Sequence, residues 1–176
     1  MIEAFSARIS AYVYRHNDRQ HVSQEVMKFA LIALLTHTLT IVLSLVIGIM
    51  IGKFQETCIV VLAMTSLRYL AGGHHLSSPV LCIIFSSAAV VVVPFIPIST
   101  PILYTFTAIS ALLVWKYAPV DMRGKTRISD RTLNIMKYTG LVLVLSNILI
   151  QSEILAVSWF IISLTLLPYK GVESHE

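Results

Sequence analysis

The sequence predicts an all-α, polytopic membrane protein with about six transmembrane helices behind an N-terminal amphipathic surface helix. Three observations carry this reading. Of 176 residues, 56% are apolar and 12% charged, and mean hydropathy is +0.80; soluble domains run near roughly 45–50% and 25%. A globular chain of this length has too large a surface to cover with so few charges, which excludes the soluble, disordered and collagen-like classes. The charges are also clustered: Phe29–Ile51 holds 23 residues without Asp, Glu, Lys or Arg, and Tyr69–Trp115 holds 47. A spanning helix needs about 20 mostly apolar residues, so the longer run must contain two spans and a turn. Finally, the Lys and Arg residues fall almost wholly on one side of the implied bundle.

The chain reads as a single integral membrane domain over 1–176, with a cytoplasmic segment 1–28, a bundle 29–170 and a polar tail 171–176. In the first segment Ile2, Phe5, Ile9 and Val13 recur at helical spacing, with Arg8 and Arg15 opposite. That pattern suits a helix lying in the membrane interface. It is not a cleavable signal peptide, because the apolar run starts only at residue 29 and is too long for a signal core.

Span one is expected over Phe29–Ile51, closed by Gly52-Lys53, and span two over Phe54–Ala71. Span three starts at Pro79 and ends near Pro94 or Pro97. After a Pro-rich turn, span four runs from Ile102 to Ala118. A polar loop from Pro119 to Arg131 follows, then span five over Leu133–Ile150, with Lys137 reaching the interface, and a short span six over Ile154–Leu167.

With a cytoplasmic N-terminus, the inner segments hold Arg8, Arg15, Arg19, Lys28, Arg68, Lys116, Arg123, Lys125, Arg127, Arg131, Lys137 and Lys170. Only Lys53 lies outside. This is the asymmetry that sets orientation in membranes, and it explains the pI of 9.2 without a nucleic-acid partner. The loop between spans two and three is then cytoplasmic. Two cysteines, Cys58 and Cys82, imply no disulfide framework.

That loop concentrates the chemistry. It reads Arg68-Tyr69-Leu70-Ala71-Gly72-Gly73-His74-His75-Leu76-Ser77-Ser78-Pro79-Val80-Leu81-Cys82. Gly72-Gly73 breaks span two, and Pro79 suits the first position of the next helix, with Ser78 as its N-cap. Cys82 sits in the first turn, where the helix N-terminus and a neighbouring imidazolium would stabilise a thiolate. A loop that folds a His over Cys82 makes a Cys–His nucleophilic pair. The competing reading is a free cysteine packed as a small apolar residue, which suits Cys58 in mid-span. A metal held by His74 and His75 with His16 or His21 is disfavoured, since adjacent side chains point apart. No metal or other cofactor is implied. His37, alone in span one, reads as a hydrogen-bonded packing histidine. Donors for a tetrahedral oxyanion are the Val80 and Leu81 N–H groups and Arg68. Asp121 and Glu25 are the candidates for orienting the histidine.

Arg68-x-x-Ala71-Gly72-Gly73-x-His75, with Cys82 seven residues later, resembles the signature of the accessory gene regulator B (AgrB) family. Ala118-Pro119-Val120-Asp121 resembles that family's cytoplasmic loop, although Thr126-Arg127 after Lys125 departs from its Lys-Pro. The resemblance implies a bacterial cell-membrane cysteine endopeptidase that processes an AgrD-like quorum-sensing propeptide through a thioester and assists its closure to a lactone or thiolactone. It implies His75 and Cys82 as the catalytic pair, with Arg68, Gly72 and Gly73 in support. The family's substrates have an amphipathic leader and an acidic tail; the leader would dock beside residues 1–28, and Arg123, Lys125, Arg127 and Arg131 would hold the tail. The plain reading of that basic cluster is topology alone. The expected partners are this propeptide and the bilayer, and a homodimer is left open. The rival function is a small transporter or peptide exporter without covalent chemistry, using the broken spans as a substrate site.

Overall fold

The computed structural model describes residues 2–15, 24–73, 78–120 and 129–168. Those residues are helical, with no strand among them: α1 (Ile2–Arg15), α2 (Gln24–Met50), α3 (Phe54–Ala71), α4 (Pro79–Val92), α5 (Thr100–Tyr117), α6 (Asp130–Leu145), α7 (Asn147–Ile150) and α8 (Glu153–Leu164). The all-α expectation is met, and α3 has the predicted limits. Two helical stretches, Gln24–Met50 and Asp130–Ile150, are long and apolar enough to cross a membrane; Pro79–Phe95 and Glu153–Leu164 are shorter apolar helices.

Other boundaries move. The described part of the N-terminal amphipathic segment is α1, and Glu25 and Lys28, placed in that segment by the sequence, belong to α2, which takes in five residues before Phe29. A charge marks where hydrocarbon stops being tolerable; backbone hydrogen bonding carries the helix on through it. Likewise α6 starts at Asp130, so Arg131 is helical rather than in the loop. Ser129 caps it, its hydroxyl accepting from the Thr132 N–H at 3.3 Å. The fifth helix is also interrupted at Ser146, where α6 gives way to the single turn α7.

α3, α5, α6 and α8 form a bundle around Val60, Leu67, Val114, Val144, Val157 and Trp159. The Trp159 indole N–H donates to the Ala63 carbonyl at 3.1 Å, pinning α8 to α3, and Phe106 stacks on Phe160 at 4.1 Å between α5 and α8. α2 packs on α4, on α1 and against α3. Gly48 permits the last approach, since a Cβ there would lie 2.7 Å from Thr57 Oγ1.

Polarity is distributed in reverse of a soluble protein. Buried inside are Ser44, Thr57, Thr107, Ser110, Asn147, Ser158 and Ser163, while Leu62, Phe85, Val142 and Leu149 are exposed. Small hydroxyl residues let helices approach closely and bond across the interface where lipid offers no competing partner. Asn147 shows the pattern. Its amide donates to Thr107 Oγ1 and to the Ser152 carbonyl, and accepts from the Ser152 N–H at 3.0 Å, closing the α7–α8 turn.

α1 docks with Ser6 and Ser10 fully buried, while Tyr12 and Val13 remain exposed. Of the predicted apolar stripe, Ile9 is half-buried and Val13 is exposed.

Candidate functional site

At the end of α3, Gly72 adopts φ 75° and ψ −147°, and Gly73 has φ 134°. The first pair of angles lies in a region essentially reserved for glycine. The sequence expectation that this dipeptide ends the helix is met, and the structure adds what the turn is built against. Ala71 accepts a hydrogen bond from the Val120 N–H at 2.9 Å, and Gly72 forms a parallel bridge with Val120. A Cβ on Gly72 would collide with the Val120 carbonyl oxygen. The segment after α5, including the cis Ala118–Pro119 bond, is thus joined to the end of α3.

Arg68 points back over the same turn. Its Nη2 donates to the Gly73 carbonyl at 3.4 Å and its Nη1 to Thr165 Oγ1 at 3.2 Å. From the other side α4 brings Cys82, half-buried and within electrostatic range of the Arg68 guanidinium. Cys82 Sγ lies 4.0 Å from Ser86 Oγ, one turn along.

Pro79 is the first residue of α4, and the ladder begins with the Cys82 N–H donating to the Ser78 carbonyl at 3.0 Å. Ser78 holds the N-cap position with extended angles, but its side chain makes no capping bond, contrary to the expectation of a full cap. The N–H groups of Val80 and Leu81 precede the first helical bond, so they are left as the donors of this helix terminus.

Cys58 stands in the second turn of α3, ten residues from Arg68, or about 15 Å along the axis. Glu25 is exposed in the first turn of α2. His37, read above as a hydrogen-bonded packing histidine, is on α2 with an exposed side chain and within electrostatic range of Arg68. An open cleft of about 570 Å³ lined by Glu56, Val93–Ile96, Ser152 and Glu153 lies at the opposite end of α3 and α4 and holds none of the expected residues. No grouping of three or more His, Cys, Asp or Glu suited to a metal occurs among the described residues. His74 and His75, and Asp121, Arg123, Lys125 and Arg127, lie outside the described residues.

Residues 6–171 match the accessory gene regulator B family. The chain belongs to the AgrB family. A curated relative from Halalkalibacterium halodurans, named only as AgrB-like, is 28% identical over 120 residues. That match covers 68% of this chain and 61% of the relative's length, so the chain spans less than two thirds of it. No solved structure matches the chain. Family membership bears out the resemblance and connects the chain to the agr quorum-sensing system. One residue at this candidate site carried no sequence signal, Thr165, 97 residues from Arg68; Val120 belongs to the Ala118–Asp121 stretch singled out above, but its pairing with Gly72, 48 residues away, was not legible there.

Proposed function

We propose that the chain is a membrane-embedded cysteine endopeptidase that cleaves an AgrD-like propeptide and assists its cyclisation. The observation that carries this reading is the convergence of Cys82, an uncapped helix N-terminus and the Arg68 charge beside the glycine turn. His75 is assigned by its place in the motif, seven residues before Cys82. The thiolate is the nucleophilic form of a cysteine.

In the proposed reaction Cys82 Sγ attacks a peptide carbonyl while His75 takes the thiol proton. The tetrahedral oxyanion is met by the Val80 and Leu81 N–H groups and by Arg68. Collapse expels the amine of the acidic tail, which receives the proton from His75, and leaves a thioester on Cys82. A thiol or hydroxyl of the substrate then attacks the thioester, closing the ring and returning Cys82 as a thiol. Co-expression with a propeptide carrying the acidic tail should yield, by mass spectrometry, the free tail and a ring lighter than the hydrolysed acid by one water. Uncut propeptide would overturn the proposal.

The bilayer reading rests on the two long apolar helices, the apolar exterior and the buried hydroxyl groups. α3 and α5 have 18 residues each, and α4 and α8 are shorter; in a bundle packed this closely they complete a six-span, multi-pass protein with the N-terminus and the Gly72–Pro79 loop in the cytoplasm. The basic segment after Val120 departs from beside Gly72, which favours Arg123, Lys125 and Arg127 as holders of the acidic tail. A cysteine placed at Ser77, in a Cys58→Ser background, should react with an impermeant maleimide only from the cytoplasmic side. Reaction from outside would reverse the orientation and remove a cytoplasmic propeptide as substrate.

A further inference from the structure

Thr165 follows the last residue of α8. Its hydroxyl donates to the Ile162 carbonyl at 2.7 Å, which fixes the proton and leaves a lone pair facing Arg68 Nη1 at 3.2 Å. The same guanidinium donates through Nη2 to the Gly73 carbonyl at 3.4 Å. These groups are close-packed: a Cβ on Gly73 would lie 2.6 Å from Thr165 Oγ1 and 3.1 Å from Arg68 Nη1. An arginine is a rigid planar fork on a flexible stem, so bonds at its tip, these two among them, govern where its charge is held. One bond goes to the turn that carries the reactive loop, and the other to the end of a helix from the far part of the chain.

We propose that Thr165 is a positioning residue that fixes the Arg68 guanidinium between the Gly73 carbonyl and the Cys82 thiol. Among the described residues, Cys82 from α4 and His37 from α2 are in electrostatic range of Arg68. α6 brings Lys137 one turn before Gly140, where it touches Leu70, and the titratable residue of α8, Glu153, sits at its other end. Arg68 is therefore the cation whose placement Thr165 controls. The catalytic consequence rests on the peptidase reading above, whereas the effect on the thiol does not.

The test uses the full-length protein with Cys58→Ser, so that Cys82 is the thiol read by iodoacetamide. Thr165→Val keeps the shape and removes the acceptor; Thr165→Ser keeps the acceptor. The valine variant should alkylate at Cys82 about tenfold more slowly at neutral pH. The serine variant should recover nearly all of the rate. Arg68→Gln should slow alkylation as well, and adding Thr165→Val to it should change nothing further. Propeptide cleavage should fall and recover in the same order. A valine variant that alkylates at the parental rate, a serine variant that fails to recover, or additive losses with Arg68→Gln would each overturn the proposal. Cleavage that survives Cys82→Ala would instead sink the peptidase reading, while the alkylation series still decides the role of Thr165.

Discussion

Cys82→Ala and His75→Ala should each reduce propeptide cleavage by at least about a thousandfold, while Cys58→Ala and His74→Ala retain substantial activity. The contrast is physical. Cys82 stands in the first turn of α4 beside Arg68, whereas Cys58 lies near the opposite end of α3. Residues that act as one unit are not additive, so the double variant should be no worse than either single one. Cys82→Ser should be nearly inactive too, because a helix terminus and one cation cannot bring a serine hydroxyl into its anionic form near neutrality. A second readout needs no substrate: iodoacetamide should modify Cys82 faster than Cys58, and the preference should shrink in His75→Ala. Full cleavage by Cys82→Ala would falsify the cysteine mechanism and move the transporter reading to first place.

Gly72→Ala should be the most damaging single-methyl change in the described chain. Its backbone angles are strained for any other residue, by about 1–3 kcal/mol. The added carbon also overlaps the Val120 carbonyl, so the bridge and the Val120 to Ala71 hydrogen bond must open. We expect the melting temperature in detergent to fall on the order of 5 °C and cleavage to fall at least about tenfold. Gly52→Ala is the matched control. It too has positive φ, 69°, but nothing lies within 4 Å of a Cβ there, and it stands at the other end of α3. Strain without collision should cost stability and leave cleavage close to the parental rate. Equal cleavage in the two variants would show that the Gly72 turn does not matter to the chemistry.

The sequence made legible whatever was local. Gly72-Gly73 and Pro79 punctuate the chain strongly enough to set the end of α3 and the start of α4, and the charge-free runs locate the helices. What it could not reveal came from two sources. Helix ends set by caps and backbone bonding, as at Ser129, do not coincide with the charges used to bound a span. Contacts between distant segments leave no periodicity: the Thr165 hydroxyl is one among many in an apolar helix terminus, and Val120 is one valine in a loop. The Arg68–Cys82 part of the site was legible because its members are close in sequence; its support was not.

The bridge between Gly72 and Val120 has a consequence for engineering. Two connections that are separate in sequence meet where Val120 pairs with the end of α3, so neither is a portable module. A chimera meant to transfer peptide preference from one relative to another by exchanging only the connection after α5 would set a foreign carbonyl against the native glycine. The graft boundaries that respect this chain are Arg68–Pro79 and Ala118–Ser129, moved together as one cassette.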